Sequence, residues 1–387
     1  MADFNATNIT NITTEASTII ASTSSTSKTE VTMKVIISVI GTLGIVGNLI
    51  VCFVILKDRF LRTLTNIFIF NQSLIDLTSS ILLLVLNLGP TKKTVVVPMG
   101  VAGDILCKIW LSRYFMWASF NVSTFNLVAL TLERYVAIVY PVVHHNRFTA
   151  TKARRICVIV WIMGLVYQSY WAKANYNRND GSCGVEYPEG AMQKALGMMA
   201  FIVEYFFPLA IMSFGYMRMF LVLKRRTTKI RSAATTSGNG SSTQEENPSF
   251  VKARNNVIKM LCIVSLTYAL CWAPNQIMYI EYNMLGVHHT EVVRDTTVVI
   301  AFLNMCVNPM IYALKYRQFQ EAIKKLICRQ YGNNVENSGL SNSSRNTTNH
   351  QGTVSTKFIT SQRISEDGNT SGVGKTQHGA PTGSDKI

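Results

Sequence analysis

Seven stretches of this chain are apolar over bilayer-crossing lengths, and polar connections separate them. They run Val35–Leu56, Ile67–Leu88, Ile109–Val139, Ile156–Ala172, Ala195–Leu223, Val257–Ile280 and Val292–Leu314. A span needs about 20 apolar residues as a helix. A helix is the reading because no other open structure satisfies its own backbone in lipid. The fourth stretch is the shortest. After the seventh, Phe319, Ala322, Ile323, Leu326 and Ile327 recur at helical spacing among basic residues. That pattern predicts an amphipathic helix over Arg317–Cys328, lying on a membrane surface. The expected fold is an all-α membrane protein, a seven-transmembrane helix bundle over residues 33–330 with this amphipathic helix at its end. Residues 1–32 and 331–387 are Ser/Thr/Asn-rich and polar, with too little apolar content to bury, and are expected to be disordered.

Composition agrees. With 48% hydrophobic and only 15% charged residues, the chain is too apolar for an ordinary soluble protein. A net charge of +16 could point to nucleic acid, but the bases lie between apolar stretches, where they orient a membrane protein instead. Lys57, Arg59 and Arg62 follow the first stretch, Arg147 to Arg155 the third, Lys224 to Arg254 the fifth, and Lys315 to Arg329 the seventh. The other connections carry fewer, so the positive-inside rule puts the N-terminus outside and the C-terminus in the cytosol. No basic start precedes an apolar core at the N-terminus, so no cleavable signal peptide is expected. Sequons at Asn5, Asn8 and Asn11 mark an exterior N-terminus for glycosylation, although Ser/Thr-rich sequence makes sequons by chance and the tail has them at Asn342 and Asn346. Most of the eight cysteines sit inside apolar stretches as small hydrophobes. Cys328 is a candidate palmitoylation site, an unmodified cysteine being the alternative.

The spans hold groups that are expensive in lipid: Asn48, Asp76, Asn121, Ser123, Glu204, Asn275, Gln276, Asn304 and Asn308. Such groups face a bundle interior and mark function, or serve as hydrogen-bonding glue between helices. Pro208, Pro274 and Pro309 interrupt the last three spans and kink them, as hinges or as passive shape. At the inner end of the third span stands Glu133-Arg134-Tyr135. It is either an interfacial arginine snorkelling beside its own acid or a functional pair. No nucleophile–base constellation or metal-ligand spacing points to an enzyme.

Taken together, Gly47-Asn48, Asn71-Gln72-Ser73-Leu74-Ile75-Asp76, Glu133-Arg134-Tyr135 with Pro141, the lone Trp161, Pro208 with Tyr216, Cys271-Trp272-Ala273-Pro274 and Asn308-Pro309-Met310-Ile311-Tyr312 with Phe319 resemble the rhodopsin-like (class A) G-protein-coupled receptors. The resemblance covers about residues 33–330 and follows the order of all seven spans. It implies a receptor in the plasma membrane that takes an extracellular ligand and activates a heterotrimeric G protein, with arrestin and receptor kinases as further partners. Arg134 would hold the inactive state and then meet the G protein, Tyr216 and Tyr312 would swing towards it, and Trp272 would sense ligand. Asp76, Ser123, Asn304 and Asn308 would form a sodium site, an allosteric ion being the one cofactor implied. Cys107 and Cys183 would pair at the outer face, beside a short hairpin turning at Asp180-Gly181.

Departures from the family pattern are Glu133 for the commoner Asp, Arg254 where some receptors carry an acid, and Thr124 and Tyr268 for bulky apolar switch residues. The usual tryptophan of the first outer loop is missing. Met116 replaces the amine receptors' aspartate and Phe302 the opsins' retinal lysine. By analogy Met116, Trp117, Phe120, Glu204, Asn275, Gln276, Tyr279 and Phe302 would line the ligand cavity, a mixture that suits a neuropeptide. A small molecule or lipid is the alternative ligand. An ion-coupled transporter or channel using Asp76 and Glu204 is the alternative class, against which the absence of two related halves counts.

Overall fold

The computed structural model describes residues 3–90, 95–174, 176–179, 182–185, 189–236 and 248–339, without the side chains of 3–28, 170–182, 184–188, 229–254 and 329–339. The chain divides into two units, Met1–Asn333 and Asn334–Ile387, and the site lies in the first. Eight helices carry it: α1 Asp3–Lys57, α2 Leu64–Leu88, α3 Tyr114–Val139, α4 Ala150–Ala174, α5 Ala191–Phe201 continued by Phe207–Thr236, α6 Pro248–Ile280, α7 Glu291–Lys315 and α8 Arg317–Gly339. Between α4 and α5, β1 Tyr176–Asn179 and β2 Ser182–Val185 form an antiparallel hairpin with Arg178 opposite Cys183. The expected turn residues, Asp180 and Gly181, lie outside the described residues.

Among the described residues, six helices are long and apolar enough to cross a membrane, including Thr29–Lys57 within α1 and Asn255–Leu285 at α6. The expected fourth span is not among them. Its helix is nevertheless 25 residues long, enough at 1.5 Å per residue to cross, and Gln168 in it is a buried polar residue that faces α3. Two boundaries differ from expectation. The α1 helix begins at Asp3, so residues 3–32 are helical where no structure was expected, and α8 runs on past Cys328 to Gly339. Extending an existing helix by one residue costs far less than nucleating one, so polar sequence joined to a stable helix can follow it.

Local signals set the helix ends. The Thr63 hydroxyl accepts from Asn66 N–H at 3.3 Å to start α2, and Thr290 caps α7 the same way through Val293. Small residues let helices approach. A Cβ on Gly44 of α1 would stand 2.1 Å from Ser80 Oγ of α2, and one on Gly164 of α4 would stand 2.3 Å from Val122 of α3. These are the close interfaces that drive helix association where lipid removes the hydrophobic drive. On α8, Phe319 and Ala322 are buried against the bundle, Ile323 and Leu326 partly so, as the amphipathic pattern requires. Ile327 and Cys328 stay exposed. The Lys325 ammonium sits 4.8 Å from the Phe60 ring centroid, tying α8 to the α1–α2 connection.

Candidate functional site

The disulfide end is built first. Before α3 the chain makes a short helix, Val101–Ile105, and a π-helical turn, Leu106–Leu111. That turn carries Cys107, whose disulfide to Cys183 of β2 ties the hairpin to the head of α3, with Cα atoms 5.8 Å apart.

Below it an aromatic cluster joins α3, α6 and α7. Phe120 meets Trp272 edge-on at 5.3 Å, stacks on Phe302 at 5.6 Å, and meets Trp117 edge-on at 5.9 Å. Such pairs hold their geometry through ring quadrupoles. Of the residues expected to line the cavity, Met116, Phe120, Gln276 and Phe302 are buried, whereas Trp117, Glu204, Asn275 and Tyr279 are half-buried. Glu204 interacts with Tyr167 of α4 and Gln276 of α6. Its place on Ile202–Phe206, a π-turn one helical turn before Pro208, explains a further contact. Pro208 has no N–H to donate to the Glu204 carbonyl, and the Tyr268 hydroxyl of α6 donates to that carbonyl instead. Thr124 of α3 lies 3.3 Å from the same hydroxyl. The two polar departures from the family pattern therefore meet each other, and they bridge α3, α5 and α6 where apolar switch residues would only pack. The same logic recurs at α7, where Pro309 leaves the Met305 carbonyl without its helical donor. Asn48 of α1 donates to that carbonyl at 2.9 Å.

At mid-depth, a directed chain of hydrogen bonds runs across four helices. Trp161 Nε1 of α4 donates to Asn71 Oδ1 at 3.1 Å. Asn71 Nδ2 donates to Asn126 Oδ1 of α3 at 2.9 Å, and Asn126 Nδ2 to Gln72 Oε1 at 2.9 Å. Gln72 Nε2 then donates to Asp76 Oδ1 at 3.1 Å and to Ser123 Oγ at 2.5 Å. Ser123 Oγ lies 3.4 Å from Asp76 Oδ1, and Asn308 Nδ2 of α7 donates to Asp76 Oδ2 at 2.8 Å. The structure thus brings together Asp76, Ser123 and Asn308 as expected. The Oδ1 atoms of Asn304 and Asn308, buried nearby, have no hydrogen-bond partner. The sequence marks Gln72 only as part of the Asn71–Asp76 motif and does not mark Asn126. Gln72 lies four residues before Asp76, hence on the same helix face, and that spacing was the available signal.

At the opposite end, Arg134 forks onto Glu133, Nε to Oε2 at 2.6 Å and Nη2 to Oε1 at 2.5 Å. His144, on the short helix Pro141–Arg147, places Nε2 2.9 Å from the same Oε1. Glu133 is buried, so its two partners matter: a buried carboxylate must be paired. Tyr216 is held between Thr131 and Ser265, at 3.1 and 3.3 Å, and the Tyr312 hydroxyl is buried without a hydrogen-bond partner. The side chains of Arg254, Asn5, Asn8 and Asn11 lie outside the described residues.

This geometry has counterparts. The allatostatin-A receptor of Bombyx mori is 26% identical over 293 residues, covering 73% of this chain and 76% of that one. Galanin receptor type 2 of Rattus norvegicus is 27% identical, covering 73% and 72%. A tachykinin-like peptides receptor of Drosophila melanogaster is 27% identical, covering 73% and 56%. The family model for seven-transmembrane receptors of the rhodopsin family matches residues 47–312, which take in Asn48, Asp76, Glu133-Arg134-Tyr135, Trp272 and Asn308-Pro309. The chain is a multi-pass membrane protein that belongs to the rhodopsin family of seven-transmembrane receptors.

Proposed function

We propose that this receptor binds an extracellular peptide at the disulfide end and activates a heterotrimeric G protein at the Arg134 end. The observation that carries the reading is the agreement among relatives whose names state peptide ligands, allatostatin and galanin among them. The half-buried Trp117, Glu204, Asn275 and Tyr279 beneath the tied hairpin support it, since they offer aromatic faces and polar groups together. On this reading the N-terminus is extracellular, the receptor works in the plasma membrane, and its role is signalling. Arrestin and receptor kinases would act on the cytosolic side, with the Ser338–Thr348 cluster as substrate. A secreted-peptide library, read through a promiscuous G protein in cells with and without the receptor, tests the proposal. Receptor-dependent nucleotide exchange with a peptide supports it. No receptor-dependent exchange with any peptide, beside a response to lipids or small neutral molecules added to the same assay, overturns the ligand class.

Glu204 makes a sharper expectation within this reading. Its contacts with Tyr167 and Gln276 are both to neutral groups, so a basic group of the peptide would give it a cationic partner. A charge-assisted bond is worth about 1.5–3 kcal/mol, and 1.4 kcal/mol is a decade of affinity. Glu204→Gln should weaken the peptide's potency by roughly tenfold or more, and a peptide analogue with the basic group neutralised should lose much less. Equal losses for both peptides would return Glu204 to a purely structural role.

A further inference from the structure

We infer that the Gln72 side-chain amide stands where a sodium ion would be coordinated, so that this receptor does not respond to sodium at Asp76. The inference rests on family membership for the position of the site and is independent of the ligand.

A cation there needs oxygen atoms with lone pairs to spare, since sodium is a hard ion. Of the four residues expected to hold it, two have their oxygens engaged by the same nitrogen. Gln72 Nε2 donates one hydrogen to Asp76 Oδ1 and the other to Ser123 Oγ. An amide nitrogen carries two hydrogens and no acceptor, so both face the two oxygens that an ion would bridge. Ser123 accepts from Gln72 and lies within reach of the same Asp76 oxygen. The other carboxylate oxygen accepts from Asn308. Asp76 is therefore surrounded by three neutral donors, from Gln72, Ser123 and Asn308. An ion ligating Asp76 and Ser123 together would have to displace the amide.

The amide cannot turn over to offer its oxygen instead. An indole N–H only donates, so Trp161 requires Asn71 to present Oδ1 to it. Asn71 must then present Nδ2 to Asn126, and Asn126 its own Nδ2 to Gln72. The Phe68 carbonyl, which only accepts, holds Asn126 Nδ2 in the same sense at 3.1 Å. A carboxylate closes the other end and accepts. With a donor-only group at one end and an acceptor-only group at the other, the whole chain has one direction. Rotating Gln72 alone would set its oxygen against Asp76 and its nitrogen against the Asn126 amide. Gln72, Asn126, Asp76 and Ser123 are all buried, so bulk water does not reach such a mismatch. The neutral amide thus supplies donors to Asp76 and Ser123, although not the charge that an ion would bring, and leaves the buried Oδ1 atoms of Asn304 and Asn308 without a partner.

The probe is the ion itself. Melting temperatures of purified receptor are compared in sodium chloride and potassium chloride at equal ionic strength. The comparison is made within each variant, so that a general loss of stability cancels. Wild type should melt at the same temperature in both salts. Gln72→Leu, which removes the donors and leaves the carboxylate and hydroxyl, should gain a saturable, sodium-specific rise of about 3 °C or more. Gln72→Met serves if the leucine variant does not accumulate. Adding Asp76→Asn should abolish the gain. A sodium-specific rise in wild type that Asp76→Asn removes overturns the inference, and so does a Gln72 variant that stays insensitive.

Discussion

Glu133→Gln should raise ligand-independent nucleotide exchange at least about fivefold at equal surface level, the effect of a coupling of about 1 kcal/mol. The side chain keeps its size and loses its charge. Arg134 loses a forked, charge-assisted pair, the strongest geometry available to a guanidinium. No acid at the base of α6 takes over, because Arg254 stands at the corresponding place. Removing one partner from a buried ion pair costs about 3–5 kcal/mol, discounted here because Arg134 keeps 19% of its side chain exposed. The released arginine is the group expected to meet the G protein. The double variant Glu133→Gln/Arg134→Ala should therefore fall back to the exchange rate of cells without receptor. Nucleotide exchange on membranes with matched receptor density measures both. A basal rate in Glu133→Gln equal to wild type would show that the pair does not restrain the receptor.

Cys107→Ser and Cys183→Ser should each cut surface receptor severely. The disulfide closes a sequence separation of 76 residues, and loop closure of that length is worth about 4.5 kcal/mol in the chain-entropy account. That is a large fraction of the 5–15 kcal/mol by which folded domains are stable. The hairpin β1–β2 has four-residue strands, and an isolated hairpin is marginal in water, so it depends on this anchor. Surface labelling gives the amount of receptor, and peptide mapping without reduction should recover the Cys107 and Cys183 peptides joined. Both thiols free in surface-expressed wild type would refute the link.

Much of the site was legible before any fold was known, because charges and amides inside apolar stretches have few explanations. Asp76, Ser123 and Asn308 converge as expected, and Glu133 pairs with Arg134 beside it. Gln72, Asn126 and Tyr167 have no role legible in the sequence: each resembles ordinary helix glue until its partner is known. Thr124 and Tyr268 read as anomalies for the same reason, and only their contact with each other and the bond from Tyr268 to the Glu204 carbonyl give them a purpose. His144 was invisible because its bond to Glu133 depends on how the connection after α3 folds back.

The division follows from what a bilayer demands. In lipid each span must satisfy its own backbone, so the number and limits of the spans are local properties of apolar runs, readable one segment at a time. The fourth was the least secure by length alone, and its buried Gln168 finds its partner in Asn121 across the interface. Helix ends followed polar composition less well, since a helix once formed extends cheaply into polar sequence. Which way each helix is turned is settled by packing against its neighbours. That rotation joins residues 51 to 257 positions apart: Gln72 to Ser123, Asn308 to Asp76, Asn48 to the carbonyl freed by Pro309. Composition alone placed a carboxylate in the membrane. The tertiary structure decided that an amide, held in one direction by an indole three hydrogen bonds away, is what faces it.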